Sequence, residues 1–156
     1  MARIVFETTI ESAPSAIADA LTTEKGIASW WTDDVSFEGA RGRTMLLGFP
    51  IAPVPFELKI EKANRKQVVW RSTGEFPPHW VDTTVTWTLT PENEGTTVHF
   101  NHDGWASDEG PLPMSAYTWG QLLGTLKRHV ETGKPVPLFK KSGKSGGRKP
   151  GPGKPR

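Results

Sequence analysis

Residues 81 to 130 constrain the fold more than any other stretch of the chain. VDTTVTWTLT alternates with period two, so Val85, Trp87 and Leu89 share one face and Thr84, Thr86, Thr88 and Thr90 the other. That is the pattern of a half-buried antiparallel strand. PENEG supplies turn residues from Pro91 to Gly95, and TTVHFNH then resumes the alternation, with Val98 and Phe100 on the apolar face and Thr97, His99 and Asn101 opposite. After a Gly104-Trp105 corner the period changes. From Ser115 onward, Trp119, Leu122, Leu123, Leu126 and Val130 fall at helical offsets and form one apolar stripe. Lys127, Arg128 and His129 complement the dipole of the last turn, and Gly133 followed by Pro135 ends the helix. A hairpin with one face to bury, followed by one long amphipathic helix, predicts a sheet covered by a helix of about 17 residues, roughly 25 Å long.

The upstream sequence supplies the remaining strands. RIVFETTI places Ile4, Phe6, Thr8 and Ile10 on one face, and Ser12-Ala13-Pro14 is a helix start. Ile17, Ala20 and Leu21 stripe a first short helix. Thr22 or Thr23 caps a second one that runs to Trp30-Trp31. VSFEG, RTMLLGF, PFELKIEKAN and QVVWRSTG then read as strands, each bounded by Gly, Pro or Asn. Pro50, Pro53 and Pro55 make IAPVPF a connection or an edge, and EFPPHW reads as a second long loop with His79 exposed. No internal repeat is visible. Strands in succession, without alternating helices, predict an α+β domain with six to seven antiparallel strands and two short helices after the first strand.

Charge divides the chain in two. Seven of the nineteen basic residues (Lys140, Lys141, Lys144, Arg148, Lys149, Lys154 and Arg156) lie in the last seventeen positions, among Gly, Ser and Pro and without one acidic residue. Removing those seven leaves twelve basic against seventeen acidic residues over 1–139, about −5, so the overall +2 belongs to the tail. We therefore expect a folded domain over 1–139 and a disordered basic tail over 140–156. The tail's expected contacts are nucleic acid or an acidic surface. Its SGKSGG run is not a phosphate loop, because the position five residues before Gly143 is Leu138 rather than Gly. The chain has no cysteine, which excludes disulfides and thiol chemistry and fits a reducing cytoplasm. No signal peptide and no segment of membrane-spanning length is apparent.

The succession ESAPSAIADALTTEKGIASWWT, VVWRS, TTVTWTLTPENEGTTVHFNHDGW and a Trp-bearing helix ending in a Lys-Pro segment resembles the SRPBCC (START/Bet v 1-like) superfamily. Within it, the likeness is to the Activator of Hsp90 ATPase homologue 1 domain. The resemblance spans roughly residues 3 to 139 and implies a helix-grip fold, in which a curved sheet wraps the last helix around a hydrophobic cavity. It also implies two alternatives to small-molecule binding: a chaperone-related interaction domain, or a cyclase- or hydrolase-type enzyme.

The candidate site residues follow from the aromatic content. Trp31, Phe49, Trp70, Trp87, Phe100, Trp105, Trp119 and Leu123 are expected to wall an apolar pocket, with His102 and Tyr117 as its orienting polar groups. The occupant expected is an apolar or amphipathic small molecule. No metal site is expected, since His99 and His102 point to opposite faces of one strand and no Cys or H-E-x-x-H element supports one. Asp33-Asp34, Asp103 and Asp108-Glu109 sit at element ends where Asp caps turns, and no nucleophile elbow is present, so no catalytic residue and no cofactor is assigned.

Overall fold

The computed structural model describes residues 2–141. Strand β1 (Ala2–Ile10) leads into α1 (Pro14–Thr22) and α2 (Glu24–Trp30), then β2 (Val35–Glu38), β3 (Thr44–Leu47), β4 (Phe56–Ala63), β5 (Gln67–Ser72), β6 (Thr84–Glu92), β7 (Gly95–Trp105) and α3 (Pro111–Thr132). Among the described residues the seven strands form one antiparallel sheet in the order β1-β7-β6-β5-β4-β3-β2. This is the α+β helix-grip architecture expected from the sequence, with α3 packed over the buried face.

The hairpin forms as its alternation requires. Trp87 pairs with Phe100 and Leu89 with Val98 across β6 and β7, so large apolar side chains stand side by side on the inner face. The first strand closes onto the last, with Phe6 opposite Phe100. The Gly-Trp corner continues β7 rather than ending it. Gly104 has φ +97° and has no partner in the β1 ladder, where Ala2 pairs with Trp105 and Arg3 with Asp103. A Cβ at Gly104 would meet the Asp82 carbonyl at 3.1 Å. Such a bulge re-aims the following residue, and Trp105 is buried.

The helix pair after β1 is joined at Thr23, whose Oγ1 accepts from the Gly26 N–H at 3.0 Å to cap α2. Helix α3 starts four residues earlier than the apolar stripe indicates and has 22 residues instead of about 17. Pro111 and Pro113 obscure that start in the sequence. In the first turn they do no harm, because those N–H groups have no intrahelical partner. The helix ends as expected at Gly133, φ +77°, whose N–H bonds to the His129 carbonyl.

Beyond α3 the chain doubles back as a strap along residues 29–33. Val136, Leu138 and Phe139 donate N–H bonds to the carbonyls of Ser29, Trp30 and Trp31, and Asp33 returns one to Phe139. Lys141, expected to belong to the free tail, donates its N–H to Asp33 Oδ1 at 2.7 Å. Residues 142–156 of that segment, with its expected contacts to nucleic acid or acidic surfaces, lie outside the described residues. Among the described residues no helix is long and apolar enough to cross a membrane.

Candidate functional site

The inner face of the sheet and α3 meet in aromatic contact. Phe100 lies 4.6 Å from Trp119 between ring centroids, Trp87 4.9 Å from Phe100, Trp70 5.4 Å from Trp87, and Trp31 5.6 Å from Trp70. These separations are those of direct ring packing. The space between β6–β7 and α3, where the sequence places a pocket, is therefore filled. Three indoles in or beside this stack find acceptors: Trp30 Nε1 donates to the Ala20 carbonyl, Trp70 Nε1 to the Leu21 carbonyl and Trp119 Nε1 to His102 Nδ1.

An apolar recess of about 330 Å³ lies at one end of this stack. Its walls come from separate segments: Trp31 at the end of α2, Phe49 and Phe56 flanking the β3–β4 connection, Trp80 from the β5–β6 loop, Trp119 from α3 and Phe139 from the strap. Phe49 anchors three of them, 4.6 Å from Phe56, 5.1 Å from Phe139 and 6.0 Å from Trp31. At the rim Ile51 is 97% and Met114 71% exposed, so the recess opens to solvent. Ser115, Thr118 and His79 are among the side chains that bring polar atoms to its lining, and no Lys, Arg, Asp or Glu lines it among the described residues.

Of the ten residues expected at a site, Trp31, Phe49 and Trp119 line this recess. Trp70, Trp87 and Phe100 pack behind it. Leu123 is buried further along α3, and Trp105 lies beyond the recess, stacked under His79 at 5.6 Å. Two orienting groups are corrected outright. Tyr117 is 68% exposed, because a position two residues from the inward Trp119 sits on the opposite side of a helix. His102 is fully buried and absent from the recess lining. Trp80 covers it edge-on at 4.8 Å and Trp119 at 6.0 Å.

Among the lining residues that the sequence does not single out as site residues are Phe56, Phe76, Trp80, His79, Met114 and Phe139. Three of them lie in EFPPHW, which reads as a loop, and Phe139 lies beyond the end of α3, where the sequence assigns no element. The available signal was aromatic rings in proline-bounded loops, which need something to pack against.

The protonation of buried His102 and exposed His79 follows from their surroundings. Burial, and then the neighbouring His79, push the His102 pKa down to about 3; burial alone lowers that of His79. His102 is therefore neutral near pH 7. An indole N–H is only a donor, so His102 Nδ1 must accept from Trp119, and the ring proton sits on Nε2. From there it is donated to Thr83 Oγ1 at 2.9 Å, and Thr83 donates in turn to the Trp80 carbonyl at 2.7 Å. Among the described residues no group of three or more His, Asp or Glu side chains could hold a metal ion.

Comparison with known proteins agrees with this fold. The family model for Activator of Hsp90 ATPase homolog 1-like protein matches residues 12–131. Among solved structures, the Aha1 dimer from Colwellia psychrerythraea, determined in solution, is 30% identical with a TM-score of 0.77; the match covers 86% of this chain and 99% of that one. DynU16, from the dynemicin biosynthetic locus, is 21% identical with a TM-score of 0.71, over 90% of this chain and 51% of that one. CalU16 from Micromonospora echinospora is 17% identical with a TM-score of 0.63, over 86% and 77%. The last two likenesses show the fold alone. No curated protein matches the sequence.

Proposed function

This chain belongs to the Activator of Hsp90 ATPase homolog 1-like family, and from that premise we propose that its working site is the aromatic recess, which binds a small, uncharged, largely apolar molecule. The fold is that of a ligand-binding or Hsp90-activator-like domain in general, and the recess favours the first. The observation that carries this reading is its lining: aromatic rings from five separate segments converge on one open space that no Lys, Arg, Asp or Glu lines among the described residues. A charged ligand would lose its hydration there without compensation. A flat apolar one gains ring contacts worth about 0.5–1.5 kcal/mol each beyond the area it buries. Ser115, Thr118 and His79 supply the hydrogen bonds that orient its polar edge. The volume stands at the low end of the range for ligand pockets, which limits the occupant to a few fused or linked rings.

The test is titration with N-phenyl-1-naphthylamine, a neutral probe whose emission rises in apolar sites. The native chain should show saturable enhancement. Thr118→Trp, placed on a half-buried α3 position at the lining, should weaken it at least about tenfold, the loss of roughly 1.4 kcal/mol, with the melting temperature unchanged. Equal affinity in native and variant chains would sink the assignment.

A second reading, an Hsp90-activator-like interaction domain, draws on the Aha1 relative. Its support would be stimulation of the ATPase of an Hsp90 from the same cells by the native chain, undiminished by Thr118→Trp. Loss of that stimulation on truncation after Lys141 and on adding salt would instead assign the effect to tail electrostatics.

A further inference from the structure

Two walls of the recess, Trp80 and Trp119, come from elements with no backbone ladder between them: a loop and the middle of α3. Their rings are nevertheless nearly parallel, 15° apart with centroids at 6.0 Å. The connection between them runs through one buried side chain. His102 sits on β7 in register with Ile4 of β1 and Val85 of β6, so its backbone is flanked by a paired strand on each side. It occupies the apolar face beside Val98 and Phe100, where the strand pattern calls for a hydrocarbon. An imidazole there is tolerable only if both nitrogens are paired, and both are. Nδ1 takes the Trp119 indole N–H at 3.2 Å, and Nε2 bonds Thr83, whose hydroxyl holds the Trp80 carbonyl.

We infer that His102 is a positioning residue for the recess: it fixes the ring plane of Trp119 and, through Thr83, the loop that carries Trp80, and so sets the geometry of the two indoles a ligand meets. The inference rests on the recess being the binding site. A hydrocarbon at position 102 would preserve the packing and remove both constraints. It would leave the Trp119 N–H buried without an acceptor, and the indole would turn to find one.

The experiment measures N-phenyl-1-naphthylamine affinity and the indole N–H resonances of the full chain in the native protein, His102→Leu, His102→Gln and Thr83→Val. Glutamine carries an acceptor and a donor and approximates the two bonds, whereas leucine carries neither. His102→Leu should weaken the probe about tenfold and displace the Trp119 N–H resonance, while His102→Gln should recover most of that affinity. Thr83→Val removes the hydroxyl that links His102 Nε2 to the Trp80 carbonyl, while the Thr83 N–H keeps its own bond to that carbonyl at 3.0 Å; it should weaken the probe about threefold and displace the Trp119 resonance less than His102→Leu does. A folded His102→Leu chain that binds as tightly as the native one overturns the positioning role. If that variant does not fold, native affinity in Thr83→Val overturns it instead. Absence of probe binding by the native chain is a different result: it removes the recess reading, and this inference with it.

Discussion

The two ends of the aromatic interior are built from the same residue types and differ in what carries them. At the filled end, Trp70, Trp87 and Phe100 stand on strands and Trp119 on a helix, and the ladder fixes their spacing: Trp87 and Phe100 are register partners, so their rings must touch. At the recess end, Phe49, Phe76, Trp80 and Phe139 come from connections pinned only at points. Examples are the Gly48 N–H on the Asp34 carbonyl at 2.7 Å and the Trp80 N–H on the Pro77 carbonyl at 2.9 Å. Regular elements repeat at fixed intervals and interdigitate; loops stand away from one another and leave room. An aromatic ring in this domain thus packs fully where ladder neighbours flank it and borders the recess where it stands on a connection or at the start of an element, as Phe56 does on β4, while Trp119 belongs to both ends.

The strongest way to break that comparison is to truncate one ring at each end. Trp87→Ala removes a fully buried indole among tightly packed neighbours and should cost about 3–5 kcal/mol in urea unfolding. Phe56→Ala, at a half-buried position facing open space, should cost clearly less, because little surrounding structure is left without contacts. Equal losses would mean that the recess end is as tightly packed as the rest.

Acid offers a second test at the boundary between the ends, where His102 lies. In the unfolded chain its imidazole binds a proton near pH 6.5, but in the folded domain only near pH 3. Between those values the unfolded state holds more protons, so stability falls as pH falls. The contribution is complete above about pH 6.5 and gone by about pH 3, and amounts to a few kcal/mol. Urea midpoints measured across this window should decline less steeply in His102→Gln than in the native chain. Parallel declines would show that His102 is not held neutral.

The same contrast explains what was legible in the sequence. Period-two alternation in VDTTVTWTLT and the stripe from Trp119 to Leu126 depend only on local geometry. They gave the strand faces, the helix and, through them, the architecture. The recess was not legible, because its walls are brought together by non-periodic segments: Phe76 and Trp80 lie in a loop, and Phe139 reaches its place through strap bonds to residues 30–33. Pattern also misplaced His102. The alternation puts it on the apolar face, but whether it meets a ligand there or is closed off by Trp80 depends on a loop without a period. Tyr117 stands two residues from Trp119, off the apolar stripe, and the phase of that stripe already turns it to the exposed side.

Phe139→Ala sharpens the comparison at the recess itself. The ring is half-buried, packs on Phe49 and belongs to a strap held mainly by backbone bonds, so stability should fall by no more than about 1 kcal/mol. Affinity for N-phenyl-1-naphthylamine should drop by roughly threefold to tenfold as one wall is lost. A large stability loss with unchanged affinity would place Phe139 in the packed class instead.

The smallest effect expected is at the rim. Ile51 is 97% exposed at the tip of the β3–β4 connection, so Ile51→Ser removes almost no buried area and should change stability by less than about 0.5 kcal/mol. Its side chain borders the recess, and a bound molecule would cover part of it. Converting that contact to a hydroxyl should weaken the probe by about twofold to threefold, a fraction of the transfer energy of a buried isoleucine. Circular dichroism melting alongside the titration separates the two quantities. A stability change with no change in affinity would show that the tip folds inward and that the opening lies elsewhere.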